Sequence, residues 1–323
     1  MNIRPRRNRK NLAIRNMVEE TNLGPQHLIY PLFLVDGKNI QDEVQSLPKN
    51  YRWSIDKLLP EFEKWLSLGI TKFDLFPAVD EHLKDAIGSY SYAEENFYLH
   101  AIRTLKEKFP EAVLMSDVAL DPYSSDGHDG IVVNGQILND PTLEVLGKMS
   151  LAQAQAGIDI IGPSDMMDGR VGYIREKLDN HNFQDVSIMS YAVKYASAFY
   201  GPFRDALNSA PKLGDKKTYQ MNPANKQEAL IEAELDIQEG ADFIMVKPAL
   251  CYLDVIHLLK ENFSTPITAY NVSGECAMVY AAAKNGWLDY EKSMMEMLLS
   301  IRRAGASGIL TYFAPDAALL MKK

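Results

Sequence analysis

Two cysteines, Cys251 and Cys276, are all that 323 residues contain. They exclude a disulfide-stapled scaffold and cannot by themselves complete a structural zinc site of the all-Cys or Cys/His kind. So few thiols suit a reducing compartment, and a cytoplasmic location is expected. No apolar run approaches the roughly eighteen residues of a bilayer span, and no apolar signal core opens the chain. Neither secretion nor membrane insertion is expected. Basic charge is also short: 43 acids against 34 bases leave a net charge of -9. That balance is poor for general binding of nucleic acid or anionic lipid. No glycine-rich dinucleotide fingerprint follows the first apolar run, which argues against a nucleotide-binding open sheet.

What is present is core material, with hydrophobic types at 46% and charged types at 24%, enough for a globular α/β unit of this length. Eight apolar, β-rich runs recur, at 28–35, 72–77, 112–119, 158–163, 186–192, 242–248, 266–272 and 308–313. Between them lie stretches of helical spacing, at 55–68, 96–109, 143–155, 168–181, 225–239, 251–263 and 287–303. Alternation of this kind requires parallel strands joined by crossover helices. Gly69, Gly157, Gly240 and Gly305 each precede a strand, where a left-handed helix cap is easiest without a Cβ. Eight such units predict a closed (β/α)8 TIM barrel over 28–323, preceded by an arm over 1–27. Pro31, inside the first run, removes a ladder donor and predicts a bulge or a local break in pairing there. The longest insertion, 195–224, follows the fifth strand and has the length of a lid.

The arm holds the one basic concentration: Arg4, Arg6, Arg7, Arg9, Lys10 and Arg15. An RNA-touching tail or a targeting peptide would fit the charge, but a solvated arm packed on another subunit is the preferred reading.

Barrel chemistry collects at the carboxyl ends of strands. There the sequence places Asp117 and Asp121 after strand three, Ser164, Asp165 and Asp168 after strand four, and Lys194 at the end of strand five. Lys247 ends strand six, Ser273 strand seven and Tyr312 strand eight. Lys194 and Lys247 both lie in apolar surroundings, SYAVKYA and FIMVKPA. Desolvation lowers the pKa of an ammonium, and a second cation lowers it further. A neutral amine can attack a ketone to form a Schiff base. One such lysine would more often only reach past its strand to solvent; two on neighbouring strands favour chemistry. Asp117, Asp121, His128 and Asp129, in SDVALDPYSSDGHDG, could hold Mg²⁺, act as acid and base, or form no more than an Asx-rich turn. Arg204, Lys216 and Gln220 in the lid are suited to gripping a carboxylate.

Over nearly the whole chain these residues resemble one family, 5-aminolaevulinate dehydratase, or porphobilinogen synthase. The resemblance is carried in order by LIYPLFLVDG, DVALDPYSSDGHDG, GPSDMMDGR, SYAVKYASAFYGPFRDA, YQMNPAN, GADFIMVKPA, NVSGE, RRAGA and TYF. It implies a lyase of tetrapyrrole synthesis that joins two 5-aminolaevulinate molecules into porphobilinogen and releases two waters. Lys247 resembles the Schiff-base lysine for the substrate that becomes the propionate side, and Lys194 its counterpart for the acetate side. Ser273 and Tyr312 resemble the residues that bind the first substrate's carboxylate; Arg204, Lys216 and Gln220 resemble those that bind the second. Tyr200 and Phe203 match lid aromatics, and Asp117 and Ser164 match groups that hold the first substrate's amine. The resemblance also implies a homo-octamer in which the arm embraces a neighbour.

Two departures stand out. Zinc-dependent members carry three cysteines where this chain has Ala119, Asp121 and Asp129, so no catalytic Zn²⁺ is expected. Asp121 and Asp129 are left to hold Mg²⁺ or a monovalent cation, or to orient water and move protons. Lys216 stands where some members have arginine, giving a point charge in place of a fork. Glu232, in NKQEALIEAELD, matches a glutamate that binds an activating, hydrated Mg²⁺ away from the chemistry, so allosteric Mg²⁺ is expected there. A Schiff-base aldolase would need a phosphate-binding glycine loop after the last strands, which TYFAPDAALL does not offer. An inert barrel acting in assembly has no physical reason to keep two desolvated amines.

Overall fold

In the computed structural model, which describes residues 2–207, 209, 211–212 and 214–322, the apolar runs form eight parallel strands. They are β1 (Leu28–Val35), β2 (Lys72–Ala78), β3 (Val113–Val118), β4 (Ile160–Pro163), β5 (Ser187–Lys194), β6 (Phe243–Lys247), β7 (Ile267–Asn271) and β8 (Gly308–Thr311). Each pairs with the next, and β8 returns to β1 through Leu28↔Ile309 and Ile29↔Leu310. The result is the expected closed (β/α)8 barrel. Residues 1, 208, 210, 213 and 323, at the chain ends and within the expected lid, lie outside the described residues.

The outer helices are made by apolar spacing. Helix Ile55–Ser67 turns Leu58, Phe62 and Trp65 inward, a stripe at intervals of four and three residues. Phe62 meets Phe73 of β2 with ring centroids 3.9 Å apart. Burying one such side chain contributes about 1.5–3 kcal/mol. Gly157 and Gly305 end their helices at φ +100° and +122°, backbone that L side chains resist.

Several expectations need correction. The helix expected at 143–155 runs from Asn139 to Ala156. Ser273–Lys284 and Ala314–Met321 are helices that spacing did not reveal. Ser273 therefore opens a helix instead of ending a strand, and Tyr312 lies one residue beyond β8. Of the bulge or local break expected at Pro31, the bulge does not occur, since register with β2 is unbroken from Tyr30↔Phe73 to Val35↔Ala78, but the break does. Pairing with β8 stops at Ile29, so beyond it the proline has no β8 partner to bond.

The irregularity lies instead between β5 and β6. Ile244 faces Ser190, but Val246 faces Val193, so β5 carries one extra residue, and Lys247 comes opposite Lys194. Along the arm, residues 2–20 are exposed apart from half-buried Ile14. Neither its turn, Pro5–Arg9, nor its helix, Leu12–Met17, buries a residue.

Candidate active site

The β5–β6 register places two lysines side by side at the carboxyl mouth of the barrel. Side chains of a strand alternate between faces, so without the extra residue Val193 would stand opposite Lys247 and Lys194 would be out of phase. Both lysines are almost wholly buried, at 5% exposure each. Lys247 Nζ is caged by rings, with centroids of Tyr270 at 4.6 Å, Tyr191 at 4.9 Å, Phe203 at 5.0 Å and Tyr200 at 5.4 Å. Burial and then the Lys194 charge bring its pKa down to about 7, against the pull of Asp117, Asp74 and Asp121. The two amines do not share one environment. Lys194 Nζ donates to the Ser164 carbonyl and lies 4.0 Å from Asp129 Oδ2.

Asp117 lies within β3, one residue before its end, rather than after the strand as expected. Burial and then Asp121 push its carboxyl up to about 6, while Lys194, Lys247 and a hydrogen bond with Ser164 oppose the rise. It can therefore hold or release a proton near neutrality. Asp121 and Asp129 are brought together by Lys216, whose Nζ lies 3.3 Å from Asp121 Oδ2 and 3.1 Å from Asp129 Oδ1. Burial disfavours the ammonium, but the two carboxylates outweigh it and raise the Lys216 pKa. Burial likewise opposes ionisation of Asp129, yet Lys194 and Lys216 hold it below the usual carboxylate range. The lid lysine thus occupies the position where a cation between these aspartates would sit. No cluster of three metal-ligating side chains occurs among the described residues.

The lid packs down through short contacts. Phe203 N donates to Ser273 Oγ at 3.0 Å, joining lid helix Gly201–Leu207 to the helix after β7. Tyr312 and Tyr270 hydroxyls lie 2.9 Å apart, and Tyr312 stacks on Phe33, which in turn meets Phe203. Ser273 and Tyr312 therefore converge around Phe203. Tyr200 is seated rather than free: its hydroxyl donates to the carbonyls of Tyr195 and Lys247, at 2.7 and 3.2 Å. Gln220 is buried with its Oε1 lacking a partner among the described residues. Arg204 is half-buried.

Glu232 stands apart, on helix Glu228–Gln238, in the wall of a cavity of about 950 Å³ that Asp168, Gln220 and Glu228 also line. Burial raises its carboxyl pKa; Arg170 lowers it, and Asp236, Asp168 and Glu228 add to the rise. Next to it, Arg170 grips both oxygens of Asp236 at 3.1 Å and donates to Met167 O.

Besides Asp236, two buried acids escaped the sequence reading. Glu275 accepts from Leu250 N and Asn271 Nδ2 at 2.8 Å and from Val272 N at 3.1 Å, and burial pushes it to about 7. It ties the turn after Lys247 to the end of β7. Asp74, within β2, accepts from the Tyr191 hydroxyl; a single acid inside an otherwise apolar run, KFDLFP, was the available signal.

Fold and site define a (β/α)8-barrel enzyme whose chemistry lies at the carboxyl mouth of its strands. The model of the Delta-aminolevulinic acid dehydratase family matches residues 2–320, and the chain belongs to that family. It is 53% identical over 312 residues to the Delta-aminolevulinic acid dehydratase of Chlamydia pneumoniae, covering 97% of this chain and 94% of that one. To the chloroplastic enzyme of Oryza sativa subsp. japonica it is 53% identical over 318 residues, covering 98% and 74%. The Toxoplasma gondii enzyme, solved in complex with the reaction product porphobilinogen, superposes with a TM-score of 0.97 at 50% identity, covering 99% of this chain and 92% of that one.

Proposed function

We propose that this lyase condenses two molecules of 5-aminolaevulinate into porphobilinogen with loss of two waters, using Lys247 and Lys194 as imine-forming amines. The observation that carries this reading is the pairing of the two lysines across β5 and β6. Each ketone needs polarising, and covalent capture holds two small flexible molecules in register, which removes much of the entropy cost of a bimolecular step. Lys247, with its pKa near 7, is an amine for much of the time at neutral pH. Lys194, beside Ser164 O and Asp129, sits among acceptors rather than rings.

Asp117 and Ser164 would hold the amine of the first substrate, and Ser273 with Tyr312 its carboxylate. Arg204, Lys216 and Gln220 would receive the carboxylate of the second. In that exchange Lys216 leaves Asp121 and Asp129. Tyr200 and Phe203 would exclude water from the imines. Borohydride trapping with 5-aminolaevulinate tests the reading: label should appear on Lys247 or Lys194, and an unlabelled protein would refute it.

No catalytic Zn²⁺ is part of this reading, since hard carboxylates already neutralised by Lys216 stand where thiolates would be needed. Mg²⁺ fits better at Glu232. A hydrated Mg²⁺ needs only one or two carboxylates, and the acids that crowd Glu232 would be relieved by a cation. A homo-octamer is supported by an arm that buries nothing in its own chain and by exposed Ile231 and Leu235 flanking Glu232. No helix among the described residues is long and apolar enough to cross a membrane. Two free cysteines suit the cytoplasm. Neither nucleic acid nor membrane is a proposed partner, given the net charge of -9.

A further inference from the structure

Asp74 sits inside the barrel at 0% exposure. Its Oδ2 accepts from the Tyr191 hydroxyl at 3.1 Å, reaching from β2 to β5. Its Oδ1 is buried without a partner among the described residues. The titratable groups that feel it are Asp117 from β3, Tyr191 from β5, Lys247 from β6, Tyr270 from β7, Tyr312 beyond β8 and Tyr98 from helix Phe97–Lys108. The Tyr191 ring that holds Asp74 is also the one 4.9 Å from Lys247 Nζ. A buried carboxylate short of donors is costly, and burial with the Asp117 charge raises this carboxyl well above its usual range. Asp74 is thus held as a carboxylic acid, with a hydrogen to give.

Imine formation needs such a hydrogen. Once Lys247 has added to the ketone, the carbinolamine C–O bond breaks as the nitrogen lone pair makes the C=N bond. The departing hydroxide must take up a proton to leave as water. We propose that Asp74 is a positioning residue that supplies this proton through the Tyr191 hydroxyl: the phenol turns its hydrogen from Asp74 to the departing hydroxyl and takes the acid hydrogen of Asp74 in its place, along the same 3.1 Å contact, and Asp74 then remains, as a carboxylate, the counter-charge of the Lys247 iminium. The step balances: neutral carbinolamine and carboxylic acid become iminium cation, carboxylate anion and one water. No net charge enters the barrel, which avoids the cost of burying an unpaired cation. The inference rests on the imine role of Lys247.

The test follows borohydride-trapped adduct at Lys247 over time by mass spectrometry, in the full chain with 5-aminolaevulinate, for wild type, Asp74→Asn, Tyr191→Phe and the double variant. Asparagine keeps the shape and still accepts from Tyr191 but has no acid proton. Each single change should slow adduct formation by about a hundredfold, the scale of a lost proton donor. The double variant should be no slower than the slower single one, because both break one relay. KM should stay near the wild-type value while kcat falls, and the rate should lose its decline at high pH, where Asp74 ionises. A labelled wild type whose rate and pH profile Asp74→Asn reproduces would overturn this inference alone. Independent, additive losses would overturn the relay. A wild type that never labels at Lys247 would overturn the imine reading and this inference with it.

Discussion

Lys194 and Lys247 are register partners across β5 and β6, and they are so only because β5 carries one residue more than β6 between Ser190 and Val193. An irregularity in pairing, not a motif, puts two amines on the same face. Bulges near active sites commonly re-aim a side chain in this way.

The pH response of Lys247 follows from its cage. Attack requires the free amine, so imine formation should rise with pH through about 7 and fall again only at the higher pH where Asp74 ionises. Lys247→Met should abolish porphobilinogen formation while the fold persists. Stability should respond with a definite sign. In the unfolded chain a lysine keeps its proton to about 10.5, whereas folded Lys247 loses it near 7. Between those values the unfolded chain binds more protons, so stability climbs with pH. Denaturant titrations at pH 7 and 9 should show that climb in wild type and a smaller one in the methionine variant.

Lys216→Met should strand two buried carboxylates. Removing one partner of a buried pair costs about 3 kcal/mol or more, and the loss should shrink toward acid pH as the freed carboxyls take up protons. KM for 5-aminolaevulinate should rise as well. Zinc-specific chelation should leave wild-type turnover unchanged. A steep loss on chelation would refute the assignment of Asp121 and Asp129.

Arg170→Met should act at a distance. Its forked grip on Asp236 is buried, and breaking it should lower stability by about 3–5 kcal/mol. Because Arg170 also holds Met167 O, two residues past Asp165, the turn carrying the Ser164 carbonyl should loosen and imine formation at Lys194 should slow. Equal trapping rates at Lys194 in variant and wild type would disprove the link.

Removing Mg²⁺ should lower turnover, and Glu232→Ala should abolish that response without altering the residual rate. A variant still stimulated by Mg²⁺ would place the ion elsewhere.

Gly274→Ala should disturb lid closure. A Cβ at Gly274 would collide with the Phe199 backbone, a neighbour that cannot swing away. Steady-state kinetics should register a raised KM, with the melting temperature little changed because the clash can be relieved by opening the lid.

Much of this was legible in the chain. Strands such as β1, bounded by polar residues and buried nearly throughout, announce themselves as apolar runs, and the glycines of positive φ announce the helix ends. Helix Ser273–Lys284 was not legible. It starts two residues after β7, and its inward residues are Ser273, Glu275, Cys276 and Val279, which make no clear hydrophobic stripe. The ion pairs of Lys216 join residues 95 and 87 positions apart, beyond the reach of local spacing. The extra residue in β5 leaves no mark in composition, since it exists only relative to β6. Asp74 reads as a stray acid until Tyr191 is seen across the lumen.

The seam between β1 and β8 is only two residue pairs wide, and its halves lie at opposite ends of the chain. During synthesis, β1 emerges first and waits for β8, about 280 residues later, so the nascent sheet keeps two raw edges until the ribosome has nearly finished. Unpaired edges recruit other strands. Slow translation of the last third of the message, or a stop codon ahead of β8, should therefore show itself as aggregated nascent chain rather than as a smaller, working enzyme.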